Sequence, residues 1–494
     1  MDVDNIFQAE AKLSWMRGRH ALKFGWAGTY TRQLTESAFR ASGNFGFDGT
    51  FTGFSMADYM IGKPSTLTIS NMYYTALQGS DYAAYVQDDF TANRRLTLNF
   101  GVRYQLHIPW TNKFGYASNV VPEKQSTYIP TAPPGMLYYG DPGIPAGLYN
   151  TNKKNFEPRF GFAWDIFGTG RTAVRAGYGF LTRGQAGIMV QHGFEMPPFQ
   201  RVVSLSPPAS FSDPYGGGPD PFPYVVTIKN PDFAYPIQAF RVDPNFKDSY
   251  TQQFNLNVQQ QIGSDVFIQM GYVGKAAHKL PQAVEWNAAV YGPGATAANT
   301  QQRRPFYPQY YAGIAQVLSV GNSNYHSLQV DARKRFSHGY TLQMAYTWSK
   351  SIDNGSNDNA EGTTISNPWD YLKGERGLSN FDRRHILALN GVWNLPVLRS
   401  ERLLARMFGG WQLSGVLQRS SGAPFSVTTG RDTALLGASR GLGSQRAMLV
   451  GNPFMDTGRP RQELIARYFN TAAFTAPATG TFGNTGRNIL TRPV

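Results

Sequence analysis

The chain has 494 residues, 46 Lys and Arg against 32 Asp and Glu, a net charge of +14, no cysteine, and 14% aromatic beside only 16% charged residues. These values exclude a disulfide-stapled miniprotein, a thiolate metal site and a coiled coil, and the length allows about three ordinary domains or one large all-β domain. Soluble globular chains carry roughly 25% charged residues, so this composition favours a strand-rich chain in an unusual solvent.

The chain begins with an acidic segment that contains Asp2 and Asp4, where a secretory signal needs a basic segment followed by an apolar stretch. No export signal is therefore visible, and we expect either a protein that stays inside the cell or a sequence whose beginning is missing. Further along, no run approaches the roughly 18 consecutive apolar residues of a membrane-spanning helix, which argues against a helical membrane protein.

The first clear strand runs from Arg95 to Ile108, where apolar and polar residues alternate strictly. This two-residue period is that of a β-strand, and a helix does not sort residues in this way. At about 14 residues the strand exceeds both the 5 or 6 of a soluble strand and the 9 to 11 that cross a bilayer. We therefore predict a membrane-spanning strand with one face toward lipid. It supplies the candidate lipid-facing residues Leu96, Leu98, Phe100 and Val102 and the candidate lumen-lining residues Arg95 and Arg103.

The same alternation recurs in three further predicted hairpins, each closed by a short turn rich in Gly, Asp or Ser. These hairpins join residues 159–166 to 173–180, 253–262 to 266–272, and 328–336 to 340–349. They add the candidate lipid-facing residues Phe162, Trp164, Leu342 and Met344 and the candidate lumen-lining residues Arg159, Arg175, Arg333 and Arg335.

The connections alternate in length between tight turns and long excursions such as 110–155 and 184–249, which are rich in Pro, Gly and Tyr. Short periplasmic turns and long extracellular loops are typical of bacterial outer-membrane barrels. We therefore predict an all-β fold, a transmembrane antiparallel β-barrel, to which this chain contributes about 13 or 14 long strands.

The six inward arginines predict a basic barrel interior that would steer or bind an anionic solute. The alternative is that they pair with carboxylates on neighbouring strands or on a plug. In the loops, Tyr307, Tyr310 and Tyr311 are candidate contacts for a sugar or a siderophore-like ligand, and the alternative is that their rings pack loop against loop.

Patterns of catalysis and metal binding are weak. Residues 437–441 satisfy G-x-S-x-G without the helix that a nucleophile elbow needs, and the seven histidines have no metal-ligand spacing. The loop 353–361 is rich in side-chain oxygens but departs from a calcium-binding order. We expect no catalytic residue, no metal, no cofactor and no enzyme activity. Lys and Arg are scattered along the chain, which argues against nucleic-acid binding.

Two neighbouring segments, YVQDDF at 85–90 and RLTLNFGVRY at 95–104, resemble paired strands of TonB-dependent outer-membrane receptors. Three others, NFEPRFGFAW at 155–164, YTWSKSID at 346–353 and FDRRH at 381–385, are similar to the Oar-like branch of that family. The resemblance implies a closed barrel of about 22 strands in the bacterial outer membrane, a plug inside it, and uptake driven by a periplasmic energy-coupling protein.

Compared with the pattern of that family, residues 1–494 are interpreted as an Oar-like barrel domain that is incomplete at both ends, with the plug and the regulatory-like domain absent. The expected function is energy-coupled uptake of a bulky solute, and the expected partners are outer-membrane lipid and a TonB-type energy-coupling protein that acts through a plug. One alternative is a secreted or surface β-rich adhesion or carbohydrate-binding module, which would rarely repeat strands of this length. A passive porin is a second alternative.

Overall fold

The computed structural model describes residues 2–37, 40–184, 188–356, 365–395, 410–437 and 442–493. Strands and helices are numbered in chain order. The first half contains β1 (Asp2–Arg17), β2 (His20–Ser37), β3 (Asn44–Gly46), α1 (Ser55–Met60), β4 (Thr66–Ser70), β5 (Tyr73–Asn93), β6 (Leu96–Asn112), β7 (Ser118–Val120), β8 (Met136–Tyr138), β9 (Phe156–Asp165), β10 (Thr172–Arg183), α2 (Ile188–Phe194), β11 (Val202–Leu205) and β12 (Ile237–Val242).

The second half begins with the longest strands. It contains β13 (Ser249–Ile262), β14 (Val266–Glu285), a 3-10 turn (Gln301–Arg303), β15 (Tyr311–Ser337), β16 (Tyr340–Asp353), β17 (Gly377–Leu378), β18 (His385–Asn394), β19 (Gln412–Ser420), β20 (Pro424–Phe425), β21 (Met448–Leu449), α3 (Arg461–Ala466), a second 3-10 turn (Thr471–Ala473), β22 (Phe474–Thr475) and β23 (Leu490–Thr491).

One sheet of 14 strands organises the chain. Twelve of them follow one another in the order β1-β2-β5-β6-β9-β10-β13-β14-β15-β16-β18-β19, and every neighbouring pair is antiparallel. The short strand β17 extends the pairing of β16, while β12 adds to β15 in the parallel sense. This architecture confirms the predicted all-β antiparallel fold. Within the described residues, β1 and β19 each pair on one side alone.

The register of the sheet separates an apolar face from a polar face. Leu98 lies opposite Phe162 and Leu96 opposite Trp164, while Arg103 lies opposite Glu157. We call the face that carries the leucines the apolar face and the face that carries Arg103 the polar face. Among the described residues, no layer covers the apolar face at its middle. Its side chains there are about half exposed, among them Phe100, Trp164, Leu256, Leu342 and Trp348.

The two ends of the sheet differ. At one end, which we call the turn side, tight turns close the hairpins at Gly18, Gly263 and Gly339, whose positive φ angles of 60°, 61° and 85° suit glycine. At the other end, the loop side, the long connections emerge. The polar face and the apolar face therefore both run between a compact turn side and an elaborate loop side.

The long connections fold into a layer with its own core on the loop side. Apolar side chains from segments 117–149, 194–199, 237–246 and 311–317 pack together there, and Tyr138 and Tyr311 are completely buried. The sequence pattern predicted these segments as surface loops and gave no sign of this core. Among the described residues, no helix is both long and apolar enough to cross a membrane.

Candidate site at the loop side of the polar face

The six arginines predicted to line the interior all lie on the polar face or at its turn-side edge, but they do not form one cluster. Arg95 lies in a turn beside Gly168, and Arg175, Arg333 and Arg335 lie within a few residues of the turn side. Arg333 pairs with Asp331 through a 2.6 Å contact from Nε to Oδ1. Arg95, Arg175 and Arg335 are exposed, and their side chains make no ion pair with a described residue.

The other two arginines converge on one buried carboxylate toward the loop side. Nη2 of Arg159 lies 3.4 Å from Oε2 of Glu157, and Nε of Arg103 lies 4.0 Å from the same oxygen. The second oxygen of Glu157 accepts hydrogen bonds from the backbone N–H of Thr182 at 2.6 Å and from its hydroxyl at 2.9 Å. The carboxylate is therefore fully engaged, as burial of a charge requires. Arg103 thus pairs with a carboxylate on a neighbouring strand, whereas Arg159 pairs with a carboxylate on its own strand, β9.

A histidine extends this network along the polar face. His107 Nδ1 makes a short hydrogen bond with Asp81, which lies directly opposite it on β5. Its Nε2 lies 3.5 Å from the Thr182 hydroxyl, which donates to Glu157. A chain of hydrogen bonds thus joins Asp81 to Glu157. His107 lies on the polar parity of the predicted strand from Arg95 to Ile108, but the sequence pattern gave no sign of this chain. No sequence signal gave this pairing, because the turn lies at 94–95 and a bulge between Thr91 and Asn93 shifts the register, which brings Asp81 opposite His107 instead of the Tyr104 that a turn at 92–93 would place there.

A loop carboxylate stands next to this network, which we call the mouth network (Asp81, His107, Thr182, Glu157, Arg103 and Arg159). Oδ2 of Asp248 accepts a 2.6 Å hydrogen bond from the amide of Asn155, just before β9. Burial raises the pKa of the Asp248 carboxyl, and the neighbouring His107 partly opposes that rise. Burial together with the charge of Asp248 raises the pKa of the nearby Tyr149 hydroxyl. The mouth network is therefore continuous with the folded loop layer.

The three candidate loop tyrosines have different surroundings. Tyr311 is fully buried and its hydroxyl donates to the carbonyl of Pro134 at 2.9 Å, so the prediction that it contacts a ligand is wrong for this structure. It packs loop against loop, because the adjoining start of β15 enters the core. Tyr307 is 36% exposed, and its ring lies 6.4 Å from the half-buried ring of Tyr310.

A buried ion pair holds the loop that carries these tyrosines. Oε1 of Glu285 accepts hydrogen bonds from the N–H groups of Asn287 at 2.6 Å and Ile314 at 2.9 Å, and it lies 3.9 Å from Nη1 of Arg304. Burial raises the pKa of Glu285 to about 7 although these three neighbours favour its charged form. Glu285 ends a strand of 20 residues, well beyond the 9 to 11 or so that cross a bilayer. The pair therefore belongs to the loop layer.

The weak catalytic and metal patterns lie partly outside the described residues. Residues 438–441 of the G-x-S-x-G match and residues 357–361 of the acidic loop lie outside the described residues. Across the part of the chain that the structure describes, no group of three or more His, Asp or Glu side chains could hold a metal ion.

A family model described as "Outer membrane beta barrel domain" matches residues 1–494. The solved structures similar to the chain include the outer membrane transporter YddB from Escherichia coli, with 15% identity, a TM-score of 0.48, and coverage of 88% of this chain and 45% of that one. Others are the FrpB iron transporter from Neisseria meningitidis (F3-3 variant; 9%, 0.43, 87% and 45%) and the ferripyoverdine receptor from Pseudomonas aeruginosa (12%, 0.44, 87% and 39%). No curated protein sequence matches the chain. The chain spans less than half the length of these structures.

Proposed function

The chain belongs to the outer membrane beta barrel domain family and is thus an outer-membrane protein, and we propose that it forms barrel wall and outer loops of a TonB-dependent receptor for energy-coupled uptake of a bulky solute. In this proposal the apolar face contacts outer-membrane lipid and the polar face lines the interior. A periplasmic TonB-type protein supplies the energy through a plug. The loop side faces outward, because outer-membrane barrels have short periplasmic turns and longer extracellular loops.

The observation that carries the proposal is the height of the wall on the loop side. The strand β15 has 27 residues and β14 has 20. An apolar band of roughly 25 Å needs only about 10 residues of a tilted strand. Both strands therefore continue far above the band, and they join a loop layer that has its own core. A passive pore gains nothing from such a wall, whereas a receptor needs an outer surface that holds a large solute before it moves inward.

The same structure argues against the adhesion-module alternative. A soluble module would bury one face of each long strand in a core. Here the apolar face leaves Phe160, Leu256 and Trp348 about half exposed across the middle of the sheet. A continuous apolar surface of this size in a soluble protein would be an aggregation hazard, whereas in a bilayer it is the surface that lipid covers.

The arrangement of charges on the polar face indicates a path for an anionic solute. At the mouth network, Arg103 and Arg159 are balanced by Glu157, while toward the turn side Arg95, Arg175 and Arg335 are unpaired among the described residues. Uncompensated cations deeper in a water-filled interior attract an anion past the balanced mouth. Tyr307 and Tyr310 remain the candidate ligand contacts in the loops.

The test is uptake in the source bacterium. Cells that express the native gene are compared with a deletion strain for solutes that disappear from conditioned medium, with and without a protonophore. We expect uptake of one or more bulky anions that needs both the gene and the proton-motive force. Uptake that survives the protonophore would favour a passive porin, and an unchanged medium with altered surface attachment would favour an adhesion role.

A charge variant then tests the path. Replacement of Arg95, Arg175 and Arg335 together by glutamine should lower the rate of gene-dependent uptake without lowering the amount of folded protein. The matched control is Arg431→Gln, which removes an exposed cation from a loop outside the strands of the sheet. Equal uptake by the triple variant and the control would contradict the role of the three arginines and leave energy coupling untouched.

A further inference from the structure

The apolar face carries uncompensated cations at its loop-side rim. We propose that these cations form a binding site for the phosphate-bearing headgroup of an outer-leaflet lipid. The site, which we call the headgroup patch, consists of His326 on β15, Lys350 on β16, His385 on β18 and Arg419 on β19.

The pairing register places these four side chains on the apolar face of neighbouring strands. His326 lies directly opposite Lys350. Two residues below Lys350, Trp348 lies opposite His385. Arg419 lies opposite Leu387, the next apolar-face residue of β18 after His385. Because the side-chain period of a strand is two, all four side chains emerge on the side that carries the leucines.

The upper edge of the patch lies at the height of lipid headgroups. Lys350 follows the first residue of β16, Tyr340, by ten positions. A strand rises about 3.3 Å per residue, and a tilt of about 40° reduces this to about 2.5 Å along the membrane normal. Lys350 and the opposite His326 therefore lie about 25 Å above the turn side, which is the height of the apolar band of an outer-membrane barrel. By the same count His385, opposite Trp348, lies about 20 Å and Arg419, level with Tyr346, about 15 Å above the turn side. The long side chain of Arg419 must therefore extend upward from within the band to reach a headgroup.

The cations of the patch have no partner in the protein. Lys350 and Arg419 are exposed, and their side chains make no hydrogen bond or ion pair with any described residue. On the same face at the turn side, Lys334 contacts Asp265 at 3.0 Å. At the height of the patch, no Asp or Glu stands at an apolar-face position of the described strands β13 to β19. The positive charge at the loop-side rim is thus left for a ligand.

The two histidines are held in place by tyrosines. Nδ1 of His326 lies 2.6 Å from the hydroxyl of Tyr272, and Nδ1 of His385 lies 2.8 Å from the hydroxyl of Tyr346. Each histidine ring is also stacked on its tyrosine, with interplanar angles of 24° and 21°. In both rings Nε2 makes no hydrogen bond to a described residue, so it is free to donate to an anion.

An anionic lipid fits this combination better than a soluble anion. The patch borders the exposed ring of Trp348 and the leucines of the apolar face, which acyl chains would cover. Strand spacing and rise put the Cα atoms of Lys350 and Arg419 about 16 Å apart, a gap that two long cationic side chains close around one headgroup. A ligand with a phosphate above and hydrocarbon below satisfies both parts of the surface.

The test measures lipid selection beside Trp348. The native gene product that contains this chain is reconstituted into phosphatidylcholine bilayers that contain 10 mol% of either brominated phosphatidylglycerol or brominated phosphatidylcholine. The quenching of Trp348 fluorescence is obtained by subtracting the quenching measured for the Trp348→Phe variant from that of the unmodified protein. We expect the anionic lipid to be enriched, and each of Lys350→Gln and Arg419→Gln to lower its relative association constant about fivefold. The double variant should approach the value for random mixing.

The matched control is Lys275→Gln, which removes an exposed cation from the polar face of β14 at a similar height. It should leave enrichment unchanged. The proposal is overturned if the double variant enriches the anionic lipid as the unmodified chain does, or if the control loses enrichment to the same extent. Displacement of the lipid by soluble glycerol phosphate at the same concentration would assign the patch to free phosphate esters instead. Neither cation makes a hydrogen bond or ion pair with a described residue, so all variants should fold equally.

Discussion

The buried carboxyl of Glu285 should make the loop that carries Tyr307 and Tyr310 sensitive to pH. In the folded chain burial raises the pKa of Glu285 to about 7 from an ordinary value of 4.5. The folded state therefore holds the proton more tightly than the opened state. The contribution of this proton to the free energy of opening is complete below pH 4.5 and is lost as the pH rises through about 7.

The size of the effect follows from the two pKa values. Between pH 5 and pH 8 the free energy of opening should fall by about 2.5 kcal/mol, which is nearly two orders of magnitude in the opening equilibrium. Glu285→Gln removes the titrating group, and its amide oxygen can still accept from the N–H groups of Asn287 and Ile314. The variant should therefore show almost no pH dependence over this range, because Arg304 keeps its charge throughout.

The assay is hydrogen exchange of the backbone amides in residues 301–315, corrected for the intrinsic pH dependence of exchange. Glu375→Gln is the control, since it removes a buried carboxylate that pairs with Arg446 in a different part of the loop layer. It should leave the pH dependence at 301–315 intact. A flat corrected profile in the unmodified chain, or an unchanged slope in Glu285→Gln, would refute the reasoning.

Three further predictions concern the apolar face and two polar clusters. Leu256→Arg at mid-height of the apolar face should cost about 2 to 4 kcal/mol of folding free energy in bilayers. Its control, Gln253→Arg on the polar face of the same strand, should cost close to none. Both values are read from urea titrations of the heat-modifiable form. Asp141→Ala removes the acceptor of five hydrogen bonds and should lower the local unfolding free energy by about 3 kcal/mol or more. The loss should appear as cleavage within 118–141 at a lower protease concentration. Equal protease resistance of the variant and the unmodified chain would contradict it. Arg487→Ala leaves Asp353 buried without its ion-pair partner and should lower the unfolding free energy of the loop layer by about 3 to 5 kcal/mol. Replacing both residues by Leu and Met should lower it much less. Equal losses in the two variants would show that the unpaired charge is not the cause.

Alternation in the sequence predicted the membrane-level part of the sheet well. The predicted strand from Arg95 to Ile108 corresponds to β6 at Leu96–Asn112, and the predicted turns at 263–265 and 337–339 are where the structure has them. These positions were predictable because each strand there meets water on one side and an apolar medium on the other. That difference selects apolar and polar residues in alternation, which gives the sequence a two-residue period.

The loop-side halves of the strands were not predictable in this way. The pattern ended the return strand near residue 272, yet β14 continues to Glu285, and β15 begins at Tyr311 rather than near 328. In residues 311–317 most side chains of both parities are buried, as Ala312 and Ile314 are on one and Ala315 and Val317 on the other. A strand that is buried on both faces loses its alternation, and a short apolar run is indistinguishable from other buried structure.

The candidate site shows the same division. Parity alone placed the six arginines on one face, but pairing depends on which strands become neighbours and on where bulges shift the register. The shift in the β5–β6 pairing between Gln78 and Ser80 is one such case. The convergence of Arg103 and Arg159 on Glu157 requires β6 and β9 to be adjacent, although more than 40 residues separate them in the chain. The burial of Tyr311 depends on the loop core, which no local sequence pattern predicted.

The unpaired arginines of the turn side have two physical explanations that lead to different measurements. If they attract solute, their replacement by glutamine changes uptake but not stability, since exposed and unpaired cations contribute little to folding. If they pair with carboxylates of a plug, the same replacement weakens retention of that plug in the full receptor, and uptake changes only as a consequence. Salt separates the two cases, because screening slows the capture of a free anion while a close pair shielded from water is screened much less. A strong salt dependence of uptake that disappears in the triple glutamine variant would therefore assign Arg95, Arg175 and Arg335 to the solute path.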